Sequence, residues 1–298
     1  MGRVQRVIEF TISTYLVAFL LDYVFYKYGF TVQLPETTTS VLVAIWGFVR
    51  MWSVTLVVLT CLLLHRVNIK SWFKRTMGFT KRTLLFYLFS PLLVYLTLGV
   101  YVLIAYPLGL FDFSAYVEVV AEYLKRTVSS QVANIENLAR IVAIAQLFQA
   151  YIAAITVNTL FALGEEIGWR GYLFELFDYK LGLKSTVLIG VCWGFWHASA
   201  ILLLGFNYVY NRLLGVLLFT LLAITLTYPH LMFTSKARSV QPASSLHGAV
   251  NAIWSLTLLA TRLPREQREL LLGLGVLGIV AWTITSIIIA VASRYLSK

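Results

Sequence analysis

Residues 141–177 read IVAIAQLFQAYIAAITVNTLFALGEEIGWRGYLFELF, an apolar run whose second half carries two adjacent carboxylates, Glu165 and Glu166, and Arg170. If the membrane ended where the hydrophobicity first falls, near Leu163, Glu165 would sit at a surface. His197, twelve residues beyond Ser185 in the next apolar stretch, would then lie roughly 18 Å deep at 1.5 Å per residue. The two could not meet. If the helix runs on to about Phe177, Glu165 is also about 18 Å from that end by the same rise. Trp169, Tyr172, Leu173, Phe174, Leu176 and Phe177 support the longer helix. The reading therefore places Glu165 within the membrane region, lining a polar cavity.

The rest of the chain agrees with a membrane setting. Its 298 residues are 59% hydrophobic and 12% charged, with a mean hydropathy of +0.80, and a soluble domain carries about twice that charged fraction. Apolar stretches able to cross ~30 Å of hydrocarbon recur along the whole length. The expected fold is an all-α integral membrane protein with about eight transmembrane helices around a polar intramembrane cavity. The spans fall at about 7–29, 41–64, 84–110, 141–177, 185–205, 213–233, 245–262 and 270–292. They form a single polytopic domain over 1–298, with the motif-bearing core at about 140–262. The first stretch is too long for a signal-peptide core and stays as a membrane helix.

The net charge of +11 does not indicate nucleic acid, because the cations sit in short loops where topology accounts for them. The densest group, Arg66, Lys70, Lys74, Arg75, Lys81 and Arg82, predicts a cytoplasmic loop. Counting from it puts Arg3, Arg6, Lys180, Lys184, Lys236, Arg238, Arg294 and Lys298 on the same side. Both termini and the opening of the active site are then expected to be cytoplasmic. Arg262, Arg265 and Arg268 fall outside, accompanied by Glu266 and Glu269. Cys61 and Cys192 lie in apolar segments and read as packing residues. The connection 111–140 carries an amphipathic pattern: Tyr116, Val117, Val119, Val120, Tyr123 and Leu124 on one face, and Glu118, Glu122, Lys125 and Arg126 on the other. That pattern fits an interfacial helix capping the fold.

Successive helical residues diverge by about 100°, so Glu165 and Glu166 cannot share a role. Glu166 and Arg170 stand at i,i+4 and predict an ion pair, leaving Glu165 free to act as a base. Asn158, seven residues earlier, falls on the face of Glu165 and is expected to hydrogen-bond into the same cavity. Each remaining group has a plain structural reading beside the catalytic one. The carboxylates and Arg170 could be an inert charge cluster, His197 a packed histidine, and His247 with Asn251 interhelical polar contacts. Their coincidence carries the argument. For His247 to join the others, the segment from Lys236 to Leu246, broken by Pro242, must turn inward. Asp22 and Arg50 stand at similar depth and are expected to pair, as intramembrane charges do. His230 and His65 read as structural.

The ordered motifs Glu165-Glu166-x-x-x-Arg170, Trp193-x-x-x-His197 and His247-x-x-x-Asn251 resemble the CAAX protease and bacteriocin-processing (CPBP, or Abi) family, which includes the type II CAAX prenyl endopeptidases. Trp193 stands where that family usually has Phe. The resemblance implies that Glu165 and His197 activate a water, that His247 and Asn251 donate to the oxyanion, and that Glu166 and Arg170 support them. It also implies a prenylated or other membrane-associated peptide as substrate. No cofactor is expected. Zinc or another divalent metal on Glu165, His197 and His247 is the alternative, although no His-Glu-x-x-His is present and an asparagine suits an oxyanion better than zinc. The competing functions are a non-enzymatic bacteriocin-immunity or partner-binding membrane protein and, third, a proton-coupled transporter.

Overall fold

Long apolar stretches with few helix breakers leave the backbone little choice in hydrocarbon but to satisfy itself as helix. The computed structural model describes residues 2–29, 36–127 and 134–295, and these contain helices and no strand. In chain order the helices are α1 (Arg3–Val24), α2 (Glu36–Leu64), α3 (Ile69–Thr76), α4 (Lys81–Phe89), α5 (Leu92–Ala105), α6 (Phe113–Thr127) and α7 (Ile135–Ile155). There follow α8 (Val157–Glu166), α9 (Leu183–Trp196), α10 (Arg212–Ala237), α11 (Gln241–Ile253), α12 (Leu256–Leu259), α13 (Arg265–Leu271) and α14 (Val276–Tyr295). Wider π-helical turns extend α1 over Phe25–Gly29 and α8 over Ile167–Leu173, and a third spans Ala200–Leu204.

Seven stretches among the described residues are long and apolar enough to cross a membrane: Arg3–Gly29, Thr39–Leu64, Lys81–Ala105, Ile135–Ile155, Leu183–Leu204, Arg212–Ala237 and Arg265–Ser293. The protein is an all-helical integral membrane protein, one span short of the eight expected from sequence. The difference lies at 245–262, where α11 has only 13 residues. Lys298 lies outside the described residues.

The long fourth helix expected over 141–177 is two helices. The chain breaks at Thr156, with φ −124° and ψ −92°, within the β-branched run Ile155-Thr156-Val157, which is crowded in a helix. The Tyr87 hydroxyl donates to the Ile155 carbonyl at 2.7 Å, so the break leaves that acceptor satisfied. Gly248 of α11 packs into the same break. A Cβ there would come within 2.7 Å of the Ala154 oxygen and 3.0 Å of the Thr159 nitrogen. Beyond the break α8 lies against α2, where a Cβ on Gly164 would meet the Trp52 Cα at 2.8 Å and Thr55 donates to the Gly164 carbonyl at 2.7 Å.

Two further devices position the site. Pro229 sits inside α10 and cannot donate to the Thr225 carbonyl one turn back. Ser286 of α14 donates to that carbonyl instead, at 2.8 Å. After α10, Arg238 takes a left-handed conformation, φ +53°, and the chain turns back into the protein. Val240 N donates to the Thr76 carbonyl at 3.0 Å, Gln241 Nε2 to that of Met77 at 3.0 Å, and Ser90 Oγ to that of Pro242 at 2.7 Å. Residues 242–249 are all buried, so the segment runs inward as the motif reading requires.

Asp22 and Arg50 pair as expected, at 2.8 Å. Amphipathic α6 packs on α7 through Val120 and Ala121 against Ala139 and Ala143, while Val119 and Tyr123 remain exposed. The cations that sat awkwardly with the topology are tied down. Arg262 forks onto both Glu118 oxygens at 2.6 Å and reaches Asp112 at 2.8 Å. Arg268 donates to the Leu263 carbonyl at 2.6 Å and the Leu258 carbonyl at 3.1 Å. Cys61 and Cys192 are free.

Candidate active site

The last turn of α8 separates its two carboxylates as helical geometry demands. Glu166 accepts from Arg170 Nη1 at 3.0 Å and, on the same oxygen, from His247 Nδ1 at 2.8 Å. Both Glu166 and Arg170 are fully buried. Glu165 points elsewhere, and its Oε2 accepts from the Trp193 indole N–H at 2.7 Å.

Trp193 is the hub of this region. The Arg170 guanidinium stacks over its ring at 4.1 Å. The rings of His247, His230 and His197 stand around it with centroids 5.3, 5.7 and 6.1 Å away. The exchange of Phe for Trp noted in the sequence therefore adds a hydrogen bond to Glu165 that a phenyl ring cannot make. His197 closes α9 one helical turn later, with Nδ1 3.0 Å from the Trp193 carbonyl. A carbonyl only accepts, so Nδ1 carries the proton and Nε2 keeps its lone pair. His197 is wedged against Phe219 at 4.3 Å and Trp196 at 4.8 Å. The π-helical turns follow directly on Glu166 and shortly after His197; such turns are frequent at functional sites.

Glu165, His197, His247 and Asn251 line one cavity of about 380 Å³, together with Trp193 and Arg50. Glu165, His197 and His247 are buried, whereas Asn251 is exposed. Sequence places the opening beside the basic loop, and the cavity runs the other way. Its exposed lining residues include Val43, Phe206 and Asn207, at the helix ends remote from residues 65–83. On the side toward that loop, Trp169, Arg170 and Tyr172 are buried and close it off.

Asn158 does not line this cavity. Its Nδ2 donates to the Gly248 carbonyl at 3.2 Å; it shares a face of α8 with Glu165 but stands two turns away, roughly 10 Å along the axis. Asn158 instead borders a neighbouring groove that also includes Asn251.

His230, read from sequence as structural, stands in the cluster. Its Nδ1 donates to the Leu226 carbonyl at 2.7 Å, its ring centroid is 6.0 Å from that of His247, and its buried Nε2 has no hydrogen-bond partner. The only local hint was its place after Pro229; its proximity to α8 and α11 is a long-range fact. Glu166, His230 and His247 are the described residues whose ligand-type atoms lie within 4.8 Å of one another. The set expected for a metal, Glu165, His197 and His247, is not that cluster. The cluster itself suits a divalent cation poorly, since Arg170 already holds the same Glu166 oxygen and would oppose a second positive charge at close range.

Residues 146–253 match the family Rce1-like, described as type II CAAX prenyl endopeptidase Rce1-like. Over this segment the protein is similar to the Rce1-like family. The matched stretch contains all three motifs together with Trp193 and His230. The match supports a membrane-embedded protease of the CAAX prenyl endopeptidase type. No curated protein and no solved structure matches the chain.

Proposed function

We propose that the protein cleaves a membrane-associated peptide near its C-terminus, a prenylated CAAX-type peptide in the favoured case, by glutamate- and histidine-activated water without a metal. The observation that carries this reading is the cavity shared by Glu165, His197, His247 and Asn251. Glu165 takes one proton from the water as it attacks the scissile carbonyl, the His197 Nε2 lone pair orients that water by accepting from its other O–H, and Glu165 passes its proton to the leaving amine. Asn251 and His247 donate to the oxygen as its charge develops. With Nδ1 on Glu166, His247 donates through Nε2 as an imidazolium, and Glu166 is placed to balance that charge. Such donors commonly contribute about 3–4 kcal/mol each to the transition state.

The basic loop and the helix ends beside it are proposed to be cytoplasmic on the charge rule, which puts the cavity mouth toward the opposite leaflet. In a background without Cys61 and Cys192, Lys74→Cys and Asn207→Cys should then label from opposite sides with an impermeant thiol reagent. Labelling of both from one side would refute that orientation.

The deciding experiment is cleavage of a farnesylated CAAX peptide by purified protein, with Glu165→Ala and a chelator as separate arms. Cleavage lost in the variant and kept with chelator supports the mechanism. Loss with chelator overturns its metal-free part, and activity retained by Glu165→Ala overturns the assignment of the base.

A further inference from the structure

A second groove, of about 410 Å³, lies between α7 and α11 and shares Asn251 and Ser255 with the catalytic cavity. Its near wall is one face of α7, carrying Gln146, Gln149, Ala150 and Ala153, spaced three and four residues apart as a helical face requires. Helix α7 is otherwise apolar enough to span a membrane, and Gln149, about two thirds of the way along it, is exposed. A primary amide facing hydrocarbon is costly unless something bonds it. The Gln146 amide is already oriented, because its Oε1 accepts from the Tyr116 hydroxyl of α6, which leaves its NH₂ to donate. Ala150 and Ala153 keep the floor low enough for a backbone to approach.

The chemistry of the walls selects the ligand. None of the groove's lining residues is charged, so nothing in it would hold a phosphate headgroup or a free carboxylate. An aliphatic chain would have no use for the amides. A peptide main chain does, because each side-chain amide offers the same donor and acceptor pair that a peptide group offers and seeks.

We infer that this groove binds the main chain of an extended peptide through Gln149 and Gln146, delivering it past Asn251 to the Glu165–His197 centre. The inference rests on the protease reading and adds a peptide subsite to it. Tyr116 makes amphipathic α6 the end wall of that subsite.

The test uses full-length protein carrying Glu165→Gln in nanodiscs, with Gln149 replaced by photoreactive benzoylphenylalanine. The probe is a farnesylated CAAX peptide extended by several residues before its cysteine, compared with farnesyl-cysteine methyl ester. A crosslink mapping to the peptide, competed by the long probe and not by the ester, is the expected result. A crosslink to lipid alone, to a second copy of the chain, or to nothing overturns the subsite. Alongside it, Gln149→Leu in otherwise wild-type protein should raise KM about tenfold, the worth of a hydrogen bond or so, without an equal fall in kcat, and Gln149→Asn should restore part of the loss. An unchanged KM in active Gln149→Leu protein rejects the subsite and leaves the proposed hydrolysis standing. If wild type cleaves nothing, the proposed hydrolysis fails, and the crosslink still decides the subsite.

Discussion

Two arginine–carboxylate pairs are buried among the described residues, and they are built differently. Asp22 is saturated: it accepts from Arg50 at 2.8 Å, from the Trp46 indole at 3.0 Å and from the Ser199 hydroxyl at 2.6 Å. Arg50 spends another nitrogen on the Trp196 carbonyl at 2.8 Å and stacks on that indole at 3.7 Å. The Glu166–Arg170 pair is sparer. Glu166 Oε2 and the Nε and Nη2 of Arg170 make no hydrogen bond, and the oxygen that does bond is divided between Arg170 and His247. The Asp22–Arg50 pair joins helices with both carboxylate oxygens bonded, and its arginine also edges the cavity. The pair that supports a neighbouring imidazole holds back part of its capacity, and two of the three histidines around Trp193 lean toward it.

The largest effect should come from the carboxylate that belongs to neither pair. Glu165→Gln should lower peptide cleavage by about a thousandfold, within the range for a lost general base, with little change in the melting temperature; an active variant would mean that the base lies elsewhere. Breaking either pair should instead act on stability. Arg50→Leu and Arg170→Leu each strand a buried carboxylate, at a cost of about 3–5 kcal/mol, read as loss of monodisperse protein on heating. The comparison sharpens in the double variants. Glu166→Gln with Arg170→Gln should regain most of the stability but not the activity, because His247 loses its anionic partner. Asp22→Asn with Arg50→Gln should regain stability and keep most of the activity. Equal behaviour of the two doubles would erase the distinction drawn here. Next in size, Trp193→Phe should reduce kcat about tenfold, the worth of one hydrogen bond to a charged acceptor, and leave the fold intact.

The smallest effect belongs to the exposed counterpart of these pairs, the Arg262 clamp on α6. The Ser114 hydroxyl and then Arg262 hold the Asp112 carboxyl down at about 2, and the hydrogen bonds from Arg262 lower Glu118 in the same direction. Depressed carboxylates stabilise the folded form above their ordinary range near 4 and lose that contribution as pH falls through the folded value. Amide exchange in α6, corrected for intrinsic rate, should therefore be flat from pH 7 to about 5 and accelerate as pH drops from about 4 toward 2. Arg262→Gln should flatten that response; an unaltered profile would show that the clamp does not hold α6.

Local rules made much of this legible from the sequence. The i,i+4 spacing of Glu166 and Arg170, the matched depth of Asp22 and Arg50, and the inward turn before His247 follow from helical rise and from the cost of burying charge. What local reading missed depends on which helices are neighbours. The break at Thr156 contains neither glycine nor proline, and it is held open by Gly248 from ninety residues away. Asn158, two turns before Glu165 on α8, is held by the Gly248 carbonyl instead of reaching the expected cavity. His230 gave no local sign of facing Glu166. Gln146 and Gln149 passed as ordinary members of an apolar run, since hydropathy averages hide which face a residue occupies. The direction of the cavity followed from the packing of α2, α9, α10 and α11 and from no single segment.

The contact of Gly248 with the Thr156 break also sets an order of assembly. Helices α7 and α8 leave the ribosome with Tyr87 but not Gly248 available to their bend, and Glu165 precedes α11 in synthesis. Only when residues 241–253 turn inward do His247 and Asn251 arrive on either side of Gly248, in the same step that fills the bend. A nascent chain would carry its base through most of synthesis without the two donors. On the proposed mechanism, the capacity to hydrolyse peptides would switch on late, close to completion of the fold.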